Sequence, residues 1–364
     1  MTQVQPFGLG VFLPIGKGGW IVSTESPRLG GSYDFNKRVT ALTEKVGFDY
    51  AIAMAKWRGF GGVTQHWDET LESITMCCGL AEVTARLELY CTIHTTVFHP
   101  VAAAKMMATF NHIARGRGGL NVVAKAFMAE VKQMGLPEVP EPRRYEYARE
   151  WIEIMKRLWV EPRLDFKGEF FDIQDCVSDP KPLRPPGVIC AGISDAGLRF
   201  AIDNADVCLI SAQSQEALKE RSLRAHQLAA ESGRTTKVIS LVMVVPGKTA
   251  AAAVERVDRF NRTGDLVALQ NIISSSAPKR VAPQGWGLLP IEQRAVGAMS
   301  GYPIASDAEG VIDALTDLFE NGNINGAVLT FPDFIDDLEW FGEKVLPVLK
   351  SRGYTRALAT ATSS

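Results

Sequence analysis

The sequence lacks the features that mark membrane, exported and nucleic-acid-binding proteins. No apolar run reaches the ~18 residues of a membrane span, and no basic segment followed by an apolar one opens the chain. The 39 Lys and Arg residues nearly balance 41 Asp and Glu, and they form no basic block. We therefore expect a cytoplasmic protein with neither a membrane nor a nucleic acid as partner.

Cysteine is scarce and irregularly spaced. The chain has six cysteines with no C-x-x-C spacing, mostly inside apolar runs: Cys77, Cys78, Cys91, Cys176, Cys190 and Cys208. A disulfide framework or a metal cluster needs denser and more regular spacing. The pattern indicates buried free thiols in a reducing compartment.

Motifs of self-sufficient hydrolysis are also missing. The chain has no H-E-x-x-H zinc motif and no G-x-S-x-G nucleophile elbow. The glycine-rich residues 59–62 and 116–119 match neither a P-loop nor the dinucleotide fingerprint. His94 and His99, five apart at a predicted strand end, leave a metal pair or a proton donor open, but structural or polar loop roles are favoured. We expect no metal.

The chain does contain a regular alternation of short apolar strands and amphipathic helices. Eight strands are predicted at residues 7–14, 48–54, 87–93, 120–123, 188–191, 207–210, 238–245 and 326–331. Helices are predicted at about 34–47, 68–83, 101–114, 144–160, from 194, at 216–231, from a capping box at 306–309, and at 334–349. Eight such units favour an α/β protein built as a closed (β/α)8 TIM barrel over an open sheet.

A single domain over residues 1–364 is expected, because no low-complexity linker divides the chain. Two stretches interrupt the repeat. Residues 164–176 are predicted to form a hairpin insertion with Lys167 and Gly168 at its turn. Residues 263–302, rich in Ser, Pro, Gly and Gln, are predicted to run over one barrel end. Excursions of that length tend to be lids or binding loops.

Polar residues at the carboxyl ends of the predicted strands are the candidates for chemistry, because barrel active sites lie there. They are Lys56, Arg58, Thr92, His94, Asn121, Ser194 and Asp333. Ser194 begins a helix whose backbone N–H groups could receive a phosphate, although a plain helix cap explains it equally well. Arg144 and Tyr145, at the start of the long helix, could complete an anion site or form an ordinary solvated helix start.

Several segments agree in order with one known family. They are residues 11–16 (VFLPIG), 19–24 (GWIVST), 54–62 (MAKWRGFGG), 67–73 (WDETLES), 121–123 (NVV), 143–147 (RRYEY), 165–171 (DFKGEFF), 189–197 (ICAGISDAG) and 329–331 (LTF). In these segments the chain resembles the flavin-dependent pyrimidine oxygenases of the bacterial-luciferase-like monooxygenases. The similarity spans most of the chain in one register and weakens across about 211–305.

The resemblance implies a TIM barrel of the bacterial-luciferase type and an FMN-dependent monooxygenase. In such a two-component flavoprotein a separate flavin reductase supplies reduced FMN. Dioxygen then gives a flavin peroxide, which oxygenates a small organic substrate such as a cyclic amide or an N-heterocycle. No nicotinamide site is visible in this chain, which agrees with a separate reductase. The resemblance also implies a homo-oligomer, a dimer or a tetramer.

The resemblance assigns roles residue by residue. Ala55 and Lys56 match the flavin ring region, Thr92 and Asn121 the oxygen-reaction position, Glu130 a further flavin contact, and Arg144, Tyr145 and Ser194 the FMN phosphate. The expected catalytic residues are Asn121, Thr92 and Lys56. The first two would orient the reacting group by hydrogen bonds. Lys56 would place a positive charge near the reduced ring, unless it is only a surface lysine on a loop.

One segment departs from the family. After the strand predicted at residues 120–123, the pyrimidine oxygenases have Thr-Gly-Trp, whereas this chain has Ala124, Lys125 and Ala126. The resemblance implies that the segment lies on the substrate side of the flavin, so loss of the tryptophan is expected to enlarge or reshape the pocket. Three alternatives stay open: a deazaflavin-dependent oxidoreductase of the same fold, a non-catalytic flavin-binding homologue and a metal-dependent hydrolase.

Overall fold

Eight parallel strands close into a barrel in the computed structural model, which describes residues 7–27, 30–124, 126–140, 143–276, 295–296 and 301–355. The strands within these residues are β1 (Gly8–Phe12), β2 (Tyr50–Ala53), β3 (Glu88–His94), β4 (Gly118–Val123), β5 (Leu164–Lys167), β6 (Asp172–Cys176), β7 (Val188–Ala191), β8 (Val207–Ile210), β9 (Lys237–Pro246), β10 (Tyr302–Ser306) and β11 (Gly326–Thr330). The barrel order is β1, β2, β3, β4, β7, β8, β9 and β11, and β11 pairs with β1. The predicted (β/α)8 barrel is confirmed.

The eight predicted strands are the eight barrel strands. They are buried along most of their length because helices cover one side of the sheet and the packed barrel interior the other. At the closure, Gly8 lies opposite Gly326. A Cβ on Gly326 would come within 2.2 Å of the Gly8 carbonyl oxygen, so only glycine allows the two strands to approach this closely.

Helices separate most of the barrel strands. They are α1 (Tyr33–Val46), α2 (Ser73–Ala81), α3 (Pro100–Ile113), α4 (Met128–Gln133), α5 (Arg144–Leu158), α6 (Asp195–Asn204), α7 (Gln215–Glu231), α8 (Ala250–Arg262), α9 (Leu266–Ser276), α10 (Ala308–Glu320), α11 (Asp336–Lys344) and α12 (Leu346–Ser351). The prediction that α2 starts near residue 68 was wrong: Glu72 caps it, so residues 57–72 form a long loop. The single helix predicted at 334–349 is divided into α11 and α12, because Pro347 has no backbone N–H to continue the hydrogen bonds of α11.

Strand β10 was not predicted from the sequence. Strand β9 is ten residues long and pairs with β8 and β11 inside the barrel. Its last residues continue beyond them and pair in parallel with β10, with Tyr302 opposite Val242 and Ser306 opposite Pro246. The extra strand therefore extends the sheet at one rim of the barrel.

The predicted excursion at 263–302 is described only in part. It contains α9, whereas residues 277–294 and 297–300 lie outside the described residues. Asn271 Nδ2 donates to the Phe60 carbonyl at 2.8 Å, and the Thr64 backbone N–H donates to Asp265 at the same distance. The start of the excursion thus lies against the loop that follows β2.

The hairpin at 164–176 is present as two antiparallel strands, β5 and β6. Helix α5 stabilises the hairpin turn: the Glu150 carboxylate accepts hydrogen bonds from the backbone N–H groups of Glu169 and Phe170 at 2.8 and 3.0 Å.

All six cysteines are free thiols, four of them buried. In the part of the chain that the structure describes, no helix is long and apolar enough to cross a membrane.

Candidate active site

The predicted polar residues gather at the carboxyl end of the barrel. Lys56 follows β2, Thr92 and His94 belong to β3, Asn121 belongs to β4, and Ser194 follows β7. Strands β3 and β4 pair in parallel with Thr92 directly opposite Asn121. Since the strands are parallel, all of these residues reach the same rim, as the barrel rule predicts.

Thr92 and Asn121 are joined by a directed chain of hydrogen bonds. The Thr92 hydroxyl donates to the Ala53 carbonyl at 2.7 Å, and Asn121 Nδ2 donates to Thr92 Oγ1 at 2.9 Å. A hydroxyl has one proton, so the Asn121 amide must turn its nitrogen towards Thr92. Its oxygen, Oδ1, is buried without a hydrogen-bond partner among the described residues. The site therefore holds one unsatisfied acceptor.

Ser73 supports this chain and was not predicted. Its hydroxyl donates to the Ala53 carbonyl at 3.0 Å and accepts the Thr92 backbone N–H at 2.9 Å. The bonds tie the first residue of α2 to strands β2 and β3. In the sequence Ser73 falls inside the helix predicted at 68–83, so nothing there signals a contact with β3.

Lys56 and Glu130 form a buried ion pair. Lys56 Nζ lies 2.8 Å from Glu130 Oε1, and the side chains are 3% and 0% exposed. Burial lowers the pKa of Lys56, and Glu130 opposes that shift. Burial alone would raise the pKa of Glu130, but Lys56 and backbone N–H groups bring it below its ordinary value. The alternative of a surface lysine is excluded.

Two aromatic rings complete the surroundings of the lysine. Lys56 Nζ lies 3.9 Å from the centre of the Phe127 ring and 4.3 Å from that of Phe60. Rings at this distance attract a cation through their negative faces. The sequence reasoning did not predict Phe127, although it lies three residues before Glu130. The ammonium is thus enclosed by one carboxylate and two rings.

His94 and His99 each have a hydrogen-bond partner within the protein. Trp57 Nε1 donates to His94 Nδ1 at 3.3 Å, and burial lowers the pKa of His94 to about 4. His99 caps α3, where its Nδ1 accepts the Val101 backbone N–H at 3.4 Å. No group of three or more His, Cys, Asp or Glu within the described residues could hold a metal ion. The geometry favours structural roles for both histidines.

Arg144, Tyr145 and Ser194 come together at the start of α6. Arg144 donates to the Tyr145 hydroxyl at 2.9 Å. A Cβ on Gly197 would lie 2.9 Å from that hydroxyl and 3.4 Å from Ser194 Oγ, which itself accepts the Gly197 N–H at 3.2 Å. A guanidinium and two hydroxyls therefore lie at one helix N-terminus, and the absence of a side chain on Gly197 allows the Tyr145 hydroxyl to approach it closely.

Asp195, the acidic residue at the start of α6, is paired with an arginine side chain. Asp195, the first residue of α6, accepts two hydrogen bonds from Arg224, at 2.6 and 3.1 Å. The arginine lowers the pKa of Asp195 and offsets its negative charge. The helix start therefore remains favourable for an anion.

The remaining candidates are Ala55, Arg58 and Asp333. Ala55 is half-buried next to Lys56, and Arg58 is exposed. Asp333 caps α11 by accepting the backbone N–H groups of Ile335 and Asp336. Their geometry alone assigns them no chemistry.

The segment 124–126, where the sequence differs from the pyrimidine oxygenases, is hydrogen-bonded to the loop after β3. Thr95 Oγ1 donates to the Ala124 carbonyl at 2.8 Å, and the Ala126 backbone N–H donates to Thr96 Oγ1 at 3.3 Å. Lys125 lies outside the described residues. Ala126 is buried at 2% exposure, so its methyl group lies against protein atoms.

Functional groups gathered at the carboxyl end of a closed eight-stranded barrel place this chain among the TIM-barrel enzymes. Within that class it belongs to the luciferase-like monooxygenases, since the model of that family matches residues 7–322. It is 34% identical to the pyrimidine monooxygenase RutA of Acinetobacter baylyi over 356 residues, 94% of this chain and 95% of that protein. The RutA protein of Escherichia coli strain SE11 is also 34% identical, over 96% of this chain and 93% of its own.

Solved structures share the fold. A riboflavin lyase has a TM-score of 0.85 at 19% identity, covering 97% of this chain and 93% of its own. EDTA monooxygenase from Chelativorans sp. BNC1 has a TM-score of 0.82 at 21% identity, covering 99% and 97%. Long-chain alkane monooxygenase has a TM-score of 0.80 at 20% identity, covering 97% and 93%. The barrel fold of this chain is therefore shared with these three structures.

Proposed function

We propose that this monooxygenase uses reduced FMN and dioxygen to oxygenate a small organic substrate. The observation that carries the proposal is the unsatisfied Asn121 Oδ1, buried at the barrel end that also has Arg144, Tyr145 and Ser194 at the start of α6. A flavin offers ring N–H donors, and FMN adds a phosphate. The two features suit the two ends of one FMN molecule.

The residues that would hold FMN fall into two groups. Arg144, Tyr145 and Ser194 would bind the phosphate by charge and hydrogen bonds. The ring would lie against Ala55, Lys56, Thr92 and Asn121, and Glu130 would contribute to this binding through Lys56. Bound reduced flavin supplies the electrons that activate dioxygen, a step for which amino-acid side chains have no equivalent.

The protein residues would orient and stabilise the reacting groups. Asn121, fixed by Thr92, presents its amide oxygen in one orientation. Lys56 places a positive charge where negative charge accumulates on a reduced ring. Asn121, Thr92 and Lys56 are accordingly the proposed catalytic residues.

The proposed substrate is a cyclic amide or another N-heterocycle. Support comes from the relatives, which are pyrimidine monooxygenases at 34% identity over almost the whole chain. The Ala124 to Ala126 segment distinguishes this chain from the pyrimidine oxygenases, so uracil itself is one candidate in a series. We further propose a separate flavin reductase as the source of reduced FMN, a dimeric or tetrameric homo-oligomer, and a cytoplasmic location.

Isotope incorporation tests the proposed function. The protein, photoreduced FMN and labelled dioxygen would be mixed with uracil and a series of related cyclic amides, and the products analysed by mass spectrometry. We expect one labelled oxygen atom per product molecule and no product without dioxygen. Substrate reduction by a reduced deazaflavin, without oxygen incorporation, would contradict the proposal and support an oxidoreductase.

A further inference from the structure

Both carboxylate oxygens of Glu130 accept hydrogen bonds from neighbouring protein groups. Its Oε1 accepts from Lys56 Nζ at 2.8 Å and from the Trp57 backbone N–H at 2.9 Å, and its Oε2 accepts from the Phe127 backbone N–H at 3.0 Å. The side chain is fully buried. Both carboxylate oxygens are thus occupied by protein donors.

These contacts join two loops at the barrel end. Lys56 and Trp57 follow β2, whereas Phe127 and Glu130 follow β4. The carboxylate connects the two loops and also supplies the negative charge next to Lys56. A buried lysine without such a partner tends to lose its proton, because an apolar environment disfavours the charged form.

We propose that Glu130 is a positioning residue that acts on the flavin through Lys56, by keeping the ammonium charged and fixed between the rings of Phe60 and Phe127. The inference rests on the proposed use of FMN and deepens it. A charged Lys56 stabilises the reduced, anionic ring more than the oxidised, neutral ring. Glu130 therefore favours binding of reduced FMN over oxidised FMN.

The test compares the affinities of oxidised and reduced FMN, measured anaerobically by fluorescence and calorimetry. In Glu130→Gln we expect the dissociation constant of reduced FMN to rise roughly tenfold relative to that of oxidised FMN, which lowers the two-electron potential by about 30 mV. Lys56→Met should produce the same loss. In the double variant, which removes both charges and leaves no unpaired ion, the two effects should not add.

Gln133→Leu is the matched control. Gln133 lies on the same helix as Glu130, and its Nε2 donates to the Trp57 carbonyl at 2.7 Å, so it ties the same loop without a charge. We expect its ratio of oxidised to reduced affinity to equal that of the wild type. An equal shift in Gln133→Leu would show that loop order, and not charge, sets the ratio, and would overturn the inference.

The outcomes separate this inference from the proposed function. If the wild-type protein binds neither form of FMN, the proposed function fails. If the wild type binds FMN and Glu130→Gln leaves the affinity ratio unchanged, the inference about Glu130 fails alone. If a single variant does not fold, as circular dichroism would show, the double variant decides: a ratio equal to that of the wild type contradicts the inference.

Discussion

The Asn121 amide N–H donates a hydrogen bond to the Thr92 hydroxyl at 2.9 Å, and the Thr92 hydroxyl donates one to the Ala53 carbonyl at 2.7 Å. The order of these bonds determines which end of the amide is free. The oxygen is the atom left without a partner within the described residues, so the site presents an acceptor and not a donor. A group that binds there should carry an N–H or O–H.

Thr92→Val tests this chain of bonds. Valine keeps the shape of threonine but leaves the Asn121 amide nitrogen without a partner, while the Ala53 carbonyl keeps only the Ser73 hydroxyl. The unpaired amide should cost about 1–3 kcal/mol of stability. The freed amide can turn its oxygen away from the flavin ring, so turnover should fall roughly tenfold or more and FMN should bind more weakly. Urea unfolding and steady-state rates measure both effects. Thr92→Ser keeps the hydroxyl and should retain most activity; equal losses in both variants would contradict this account.

Arg144→Met tests the proposed phosphate contact. Loss of one charged hydrogen-bond donor should weaken FMN binding by roughly tenfold or more. Riboflavin has no phosphate, so its affinity should not change. Arg143→Met is the control, because Arg143 is bonded to Glu146 at 3.1 Å and to Glu169. Equal loss of FMN and riboflavin affinity in Arg144→Met would contradict a phosphate site.

Acidification should destabilise the protein through two buried histidines. Burial lowers the pKa values of His66 and His94 from 6.5 to about 4. Between these values the unfolded chain binds a proton on each histidine and the folded chain does not, so stability falls as the pH falls. Each histidine should lower the free energy of unfolding by about 3 kcal/mol as the pH falls from 6.5 to about 4.

His66→Phe isolates one of these contributions. The His66 ring stacks on Trp67, with centroids 5.1 Å apart, and neither ring nitrogen has a partner among the described residues. Phenylalanine keeps the stacking and cannot be protonated. The decrease in the free energy of unfolding between about pH 7 and pH 5 should shrink by roughly 2 kcal/mol. An unchanged decrease, measured by urea unfolding, would show that His66 does not resist protonation.

Thiol labelling of the folded protein should be selective. Burial raises the pKa of Cys208 to about 12 and places those of Cys77 and Cys91 well above their ordinary value. The thiolate is the reactive form, so these thiols should not react at neutral pH. We expect modification to be confined to the half-buried Cys78 and Cys176, as mass spectrometry can establish. Labelling of Cys208 before unfolding would contradict the burial.

The barrel strands could be predicted because each is a short apolar run, and the period of the helices supports the same reading. Strand β10 could not, because Tyr302 to Ser306 is only partly buried and gains its place by pairing with the end of β9. The start of α2 was misplaced for a related reason. Residues 57–72 form a loop whose bonds reach distant residues, such as Glu130 and Asp265.

The site was predictable in part. Thr92 and Asn121 could be located because parallel strands bring their ends together, and the family resemblance indicated their roles. The resemblance also indicated Glu130, but not that its carboxylate is bonded to Lys56 and to the backbone N–H groups of Trp57, Arg58 and Phe127. The contacts with Trp57 and Arg58 join residues about seventy positions apart. Single-sequence patterns contain only local spacing, so they cannot show them.

Anaerobic titration with reduced FMN and reduced riboflavin tests the central claim most directly. The account predicts saturable binding of one reduced FMN per chain, with riboflavin bound roughly tenfold more weakly because it lacks the phosphate. No binding of reduced FMN, or equal binding of the two flavins, would contradict an FMN site between Ser194 and Asn121.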